Sequence, residues 1–435
     1  TGNSQSNQSV TVSTSINQDD TASANDFTAK TETLTFAQGE TTKTFTVLTI
    51  QDQRVERDET FNVSLTNPTN GANISSSNGT TKGIINNDDI PLAYLANNEI
   101  FTIKGGNDTV RLKVSLVETN RRSHYELGVF IVDDVQGNIN GITPGSAGYK
   151  EAALNRARVA FSNISNLPQG FNSADFMKLL GFNSGDNLKF LLVENGTIDS
   201  VKSGRTRSSN LFFANVSTQK VTDLGAEGFQ LAWEDDNGNA ADFQDLVVKI
   251  QSTNNPLVLG KPLQGNNQGE IIDLRNVQGQ IKVDFSVHRE AAFNNEVYFY
   301  KVDNPNGQIG NLQANSANSA NYLQAALNNL LKDAQTGANI KFAVNNQGVQ
   351  NGTSMITGGI ILAPMIIVNG TLSQLLDSNA NNNPQVYFPY MGVNSDGVDH
   401  IRLLGNNIFG FEDLPNGGDL DYNDIVVKIN FTQIV

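Results

Sequence analysis

FGFEDLPNGGDLDYNDIVVKI occupies residues 409–429. An aromatic-rich segment, Phe409 to Phe411, runs into a turn holding Glu412, Asp413, Asp419, Asp421 and Asp424. The chain leaves that turn as Ile425-Val426-Val427-Lys428-Ile429. A short apolar run on each side of a glycine-rich turn predicts two strands. Five carboxylates within residues 412–424 repel one another unless a cation lies among them. The phrase recurs at 229–250 as FQLAWEDDNGNAADFQDLVVKI, where Glu234, Asp235, Asp242 and Asp245 answer Glu412, Asp413, Asp421 and Asp424. Ala240 stands where Asp419 stands, so the first copy is expected to bind a cation more weakly, if at all.

The spacing Asp419-x-Asp421-x-Asn423 is that of an EF-hand opening, but the glycine and terminal glutamate of that loop do not follow. Asn416 and Asn423 add neutral oxygen donors. Six to eight oxygens in flexible geometry suit calcium, whereas magnesium keeps its water and transition metals prefer nitrogen or sulfur. The competing account is an Asp/Asn/Gly turn whose side chains cap their own backbone. Recurrence with matching flanks favours Ca2+ for the second copy and leaves both accounts open for the first.

The chain has 435 residues, room for two or three domains. Only 17% of them are charged, yet the net charge is -15. Clustered Lys and Arg for phosphate neutralisation are lacking, which excludes nucleic acid as the expected partner. The absence of cysteine excludes disulfides and thiolate chemistry. No apolar run is long enough to cross a membrane, the longest, near Ile360 to Val368, being interrupted by Pro364. The composition suits a location outside the cell, with any export signal expected upstream of Thr1.

Residues 1–89 predict strands at Val10–Ile16, Leu34–Phe36, Phe45–Ile50 and Phe61–Leu65, with turns at Gly39-Glu40, Asn70-Gly71 and Asn78-Gly79. The phrases DFTAKTETLTFAQGETTKTFTVLTI, ERDETFNVSLTNPTNGA and TKGIINNDD resemble a Calx-beta domain. The resemblance implies an immunoglobulin-like β-sandwich whose first two strands are missing, leaving an open edge: either the preceding sequence is lost, or another chain donates strands there. It also implies a calcium site that draws on Asp20, Asp52, Asp88 and Asp89, incomplete without the acid of the missing first strand. Those acids equally read as strand ends in solvated turns.

Residues 90–252 and 253–435 read as a tandem repeat. ELGVFIVDDVQGNI at 126–139 matches EVYFYKVDNPNGQI at 296–309, and LLVENGT at 191–197 matches MIIVNGT at 365–371. Each copy is expected to be a β-sandwich domain with one short helix. Tyr149, Ala153 and Ala157 share a helical face in the first, as do Leu323, Leu327 and Leu330, and Tyr322 with Ala326, in the second. Trp233 reads as a core anchor. GVFIVDD, GYKEAALNRA, LAWEDDNGNAADFQDLVV and FGFEDLPNGGDLDYNDIVV resemble DUF4114. That resemblance implies a large secreted or surface protein of the kind common in cyanobacteria, with calcium dependence and no assigned activity.

Enzymatic signals are poor. His124, His288 and His400 do not recur at matching positions, and no G-x-S-x-G, P-loop or H-E-x-x-H is present. Glu412 and Asp413 are too close together to act as glycosidase acids across a sugar. Asp133-Asp134, echoed by Asp303-Asn304, is explained by hairpin chemistry as well as by a cation. Asn-x-Ser/Thr triplets at Asn62, Asn195 and Asn369 fit chance in so Asn-rich a chain. The expectation is a mainly β, non-enzymatic, calcium-binding protein of the cell surface. Its role would be structural or adhesive, in a layer, sheath or matrix filament, with self-association or strand exchange. The alternative is a calcium-dependent module for surface polysaccharide, using Tyr387, Phe388, Tyr390 and Tyr422 as an aromatic platform.

Overall fold

The structure is a computed structural model that describes residues 6–50, 58–86, 92–104, 110–119, 123–164, 167–235, 241–253, 255–266 and 269–434. It divides into two compact units, residues 1–91 with 104–108, and residues 92–103 with 109–435.

In the first unit, β1 (Gln8–Ser15), β2 (Thr31–Phe36), β3 (Glu59–Thr66) and β4 (Thr80–Ile85) form one antiparallel sheet in the order β2-β1-β3-β4. Among the described residues the buried core is small: Ala22, Phe27 and Phe61, the two rings stacked at 4.4 Å, with Val12 also buried. The strand expected at 45–50 is not formed. Thr49 makes a single bridge to Phe27, while Leu48 and Ile50 stay exposed, because that segment has no further strand to pair with among the described residues.

The second unit holds both copies. Copy 1 runs β5 (Leu92–Leu95), β6 (Ile100–Ile103), β7 (Val110–Thr119), β8 (Tyr125–Val132), α1 (Tyr149–Arg156), β9 (Arg158–Ser162), β10 (Met177–Phe182) and β11 (Asn187–Glu194). It continues through α2 (Ile198–Lys202), β12 (Leu211–Phe213), β13 (Gln219–Asp223), β14 (Phe229–Trp233) and β15 (Leu246–Thr253). Copy 2 runs β16 (Ile272–Asp273), β17 (Gln280–His288), β18 (Glu296–Val302), α3 (Ser319–Asn328), β19 (Val349–Thr357) and β20 (Ile361–Ile367). Then come α4 (Leu372–Leu376), β21 (Val386–Tyr387), β22 (Ile401–Gly405), β23 (Ile408–Phe411) and β24 (Ile425–Gln433).

The copies share one plan. Sheet β10-β7-β15-β14-β13 corresponds to β19-β17-β24-β23-β22, and β6-β11-β8 to β16-β20-β18. β12 and β21 each add to the central strand of the second sheet. Alternate residues of β8 and β11 face two cores. Leu127, Val129, Phe190 and Leu192 meet Trp233 and the first sheet, while Phe130, Val132, Leu191 and Val193 meet the helices. Each copy is therefore a sandwich with helices laid on one outer face.

Tyr149, Ala153 and Ala157 are buried as the spacing predicts, with Ala157 capping the helix end. In copy 2 the helix stops at Asn328, so Leu330 lies beyond it, although its side chain is buried in the same cluster. Each copy also has a second short helix, beyond the one its sequence predicts. LLVENGT and MIIVNGT each turn through a left-handed Asn, at φ 48° for Asn195 and 47° for Asn369, and start a helix at the next Thr. Glu126 accepts from the Ile198 amide at 2.7 Å and Glu296 from the Leu372 amide at 2.9 Å, so a β-strand acid caps each helix from below. At five residues apiece these helices show no hydrophobic period in the sequence.

The copies pack through a core of their own, made of Ile164, Phe171 and Phe176 against Leu404, Ile408, Tyr422 and Val426. Polar ties cross it: Lys428 to Asp175 at 2.6 Å, the Leu179 amide to Asn406 at 3.1 Å, and Arg402 Nη2 to the Gly196 carbonyl at 2.8 Å.

Candidate metal centre

Glu412 directly follows β23, and Asp424 directly precedes β24, the neighbouring strand. The turn between them is therefore anchored at both ends on one sheet. The Asp413 amide donates to Asp424 Oδ2 at 2.7 Å and closes it. Within it Asn416, Leu420 and Tyr422 all hold positive φ, at 61°, 60° and 52°. Left-handed backbone at Leu and Tyr costs energy and collects at ligand clamps. Gly418 has φ 49°, and a Cβ there would lie 2.5 Å from Glu412 Oε1, so only glycine lets the chain pass over that carboxylate.

The folded turn gathers its acids into two sets, Glu412 with Asp419 and Asp421, and Glu412 with Asp413 and Asp424. In each set one ligand oxygen per residue lies within 4.8 Å of the others. Glu412 belongs to both and is fully buried. Its Oε1 accepts from the Leu414 amide at 3.1 Å, while its Oε2 is buried without a hydrogen-bond partner. Burial, and then the charge of Asp424, push the Glu412 carboxyl up to about 9. Burial with Asp413 beside it lifts Asp424 to about 8, and burial with Asp419 lifts Asp421 to about 6. Burial also raises Asp413, against the Asn295 amide that donates to its Oδ2 at 2.6 Å. Held close in a poorly solvated turn, these groups ionise together only if positive charge is added.

The donor set fits calcium. It is all carboxylate, with no nitrogen or sulfur in either set. His400 does not join it. Its Nδ1 pairs with the Glu412 carbonyl at 2.9 Å, its Nε2 with Asp396 at 3.0 Å, and its ring stacks on Tyr387 at 3.4 Å. It supports the backbone beneath the site. Neither His400 nor Asp396 announced this role in the sequence, because both sit on the neighbouring strand's approach rather than in the turn.

Copy 1 repeats the scaffold with a different outcome. Glu234, Asp235 and Asp245 come together, and the Asp235 amide donates to Asp245 Oδ2 at 2.8 Å. Tyr125 donates to Asp235 at 2.7 Å from the strand position that Asn295 holds in copy 2. Phe243, at the position of Tyr422, has φ 54°. Glu234 Oε2, however, accepts from the Asp242 and Phe243 amides at 2.8 and 3.0 Å. Backbone donors thus satisfy this carboxylate, whereas Glu412 Oε2 has none. Asp242 is not brought into the set, and its Oδ1 accepts from the Gln244 amide. Ala240 lies outside the described residues.

In the first unit Asp20 is already committed, bonded to Lys82 and accepting from the Asn17 amide at 2.7 Å. Asp52, Asp88 and Asp89 lie outside the described residues. Asp133 and Asp134 do hairpin work. Asp134 accepts from the amides of Gln136 and Asn138, and Asp133 pairs with Arg156. The aromatic platform is not available: Tyr387, Phe388, Tyr390 and Tyr422 are at most 3% exposed, packed in the cores.

Residues 1–89 match the Calx-beta family, and residues 182–253 and 356–432 match DUF4114, a domain of unknown function. The chain combines a Calx-beta domain with two DUF4114 regions. Each DUF4114 region contains one acidic turn with its exit strand. The crystal structure of CBD12 from CALX1.2 aligns at 18% identity over 45% of this chain and 69% of that one, with a TM-score of 0.20. The crystal structure of calcium binding domain CBD12 of CALX1.1 does so at 16% identity, over 45% and 68%, also at 0.20. No curated protein matches the chain. Calx-beta is a non-catalytic domain family. No helix among the described residues is long and apolar enough to cross a membrane.

A pH dependence follows. Asp421, Asp424 and Glu412 have folded-state values raised above their ordinary 3.8 and 4.5. Above pH 5 the folded chain therefore binds more protons here than the unfolded one, and stability falls as pH rises. In chelator the thermal midpoint should drop between pH 5 and 9. In calcium that drop should be largely absent, and midpoints taken at each pH check the sign.

Proposed function

We propose that the chain is a calcium-binding, non-enzymatic module of an extracellular or cell-surface protein, with the DUF4114 turn at 412–424 as its principal site. The observation that carries this reading is Glu412 Oε2, buried and without a partner at the junction of two carboxylate sets. A cation there removes the repulsion that otherwise keeps Glu412 and Asp424 protonated. It also ties the ends of β23 and β24, and β24 lies between β23 and β17 in the copy 2 sheet. The ion would thus stabilise the sheet that packs on copy 1, giving a rigid pair of domains suited to structural or adhesive work. Strand exchange between chains is supported by the first unit, where Ile16, Leu48, Ile50 and Ile84 are between 45% and 66% exposed around a small buried core.

Thermal unfolding in calcium, magnesium and chelator, on this chain and on Asp421→Ala, tests the proposal. A rise specific to calcium that the substitution removes supports it. Identical midpoints in calcium and chelator would sink it. The copy 1 turn should contribute little, and Glu234→Gln should keep most of the calcium response, measured as the same shift.

A further inference from the structure

At the other end of β8 from the copy 1 acidic turn lies an open groove of about 620 Å³. Tyr125, which bonds Asp235, starts that strand, and Gln136, on the groove wall, lies beyond its end. Phe213 forms part of the wall, half-buried, its ring 6.0 Å from Phe130 and 5.9 Å from Tyr149. Glu99 and Lys189 also line the groove, 8% and 7% exposed. Among the described residues neither head group is committed to a hydrogen bond or a close ion pair. Glu99 holds φ 48°, a left-handed conformation uncommon for glutamate, which directs attention to the turn that presents it. Asn97, Gln136 and Asn215 supply amides, each able to donate and accept.

Copy 2 explains why the groove exists. Strand register places Phe388 at the position of Phe213, and Tyr390 at that of Asn215. The ring cluster is kept, with Phe388 5.8 Å from Tyr300 and 5.3 Å from Tyr322. There Tyr390 fills the corner: a Cβ on Gly307 would lie 2.3 Å from its ring, whereas on the equivalent Gly137 the nearest atom is a proline carbon at 3.3 Å. Register also makes Glu270 the counterpart of Glu99, and Ala363 that of Lys189. Copy 2 has thus sealed the corner and removed its lysine. Copy 1 leaves it open, with a largely buried acid and base, Glu99 and Lys189, in its lining.

We propose that this groove in copy 1 binds a segment of neutral polysaccharide, independently of calcium. A hexose ring offers an apolar C–H face to Phe213 and hydroxyls that both donate and accept, which is what Glu99, Lys189 and the rim amides require. The groove is open rather than enclosed, so a chain can lie through it. Lys150 joins Lys189 on the wall against Glu99, and the net charge of -15 over the whole chain disfavours polyanions.

The test is titration of the full chain, in chelator, with soluble hexamers of glucose, mannose and N-acetylglucosamine, and with a galacturonate hexamer. At least one neutral hexamer should bind, and galacturonate should not. Phe213→Ala should weaken that binding roughly tenfold, the scale of one lost ring contact with its burial. Glu99→Gln should weaken it too. Phe213 is part of a packed cluster, so the double variant Asn97→Ala/Gln136→Ala, on exposed side chains, serves as the fold-neutral check and should reduce affinity several-fold. Glu234→Gln, in the acidic turn, should leave it unchanged. No binding of any neutral hexamer in chelator, binding of galacturonate alone, or binding untouched by all three groove variants would overturn the assignment. Because the titration is run without calcium, its failure leaves the calcium reading standing, and the reverse also holds.

Discussion

Glu412→Gln should unfold at a higher temperature than the parent chain in chelator, and at a lower temperature in calcium. In the apo protein the substitution removes the one carboxylate shared by both sets. The amide keeps an oxygen for the Leu414 N–H and brings an N–H₂ that can donate to its acidic neighbours. The raised values of Glu412 and Asp424 mean that the parent is destabilised there at pH 8, and the variant is relieved of that. In calcium the order reverses, because the bridging ligand is gone. Sites in extracellular modules bind calcium at about 10⁻⁴ to 10⁻³ M. At about 100-fold excess over the dissociation constant, the ion adds about 2.7 kcal/mol to the parent. For a unit of about 340 residues that is a rise of roughly 4 °C. A variant that is less stable than the parent under both conditions would mean that Glu412 serves packing alone.

Tyr422→Ala should be the most damaging single change near the turn. The ring is fully buried in the core between the copies, its hydroxyl donates to the Asp399 carbonyl at 2.7 Å, and the Arg402 guanidinium lies 4.1 Å over its face. Arg402 in turn holds the Gly196 carbonyl of copy 1. Truncating a buried aromatic costs about 3–5 kcal/mol, and here it also frees the residue that ties one copy to the other. The expected result is a large fall in midpoint, with calcium no longer protecting the copy interface from limited proteolysis. Tyr422→Phe should lose about 1 kcal/mol, the hydrogen bond alone. Equal effects from the two substitutions would show that the ring does not carry the interface.

Much of this was legible in the chain itself. Recurrence of the acidic phrase placed both turns, and the apolar runs beside them became β14, β15, β23 and β24. Tyr149 and Tyr322 marked the two long helices, and each hydroxyl now donates to the carbonyl of an equivalent glycine, Gly137 or Gly307. The misses have local causes. Residues 45–50 have strand composition, but a strand also needs a neighbour. α2 and α4 are held by a capping Thr and a glutamate from a distant strand, so no run of their own residues predicts them. Tyr387, Phe388, Tyr390 and Tyr422 have the composition of a binding face, and only packing reveals that they are interior.

Residue type and spacing alone determined the β class, the duplication, the oxygen-only donor set and the cysteine-free chemistry, because each is a property of local sequence. Tertiary structure decided what no local pattern encodes. It satisfied Glu234 with backbone amides and left Glu412 Oε2 with none, although the two glutamates read alike. It placed His400 under the site rather than in it. It closed one helix corner with Tyr390 and left the other open beside Phe213, because a side chain's partners are set by segments far away in sequence that only the folded chain brings together.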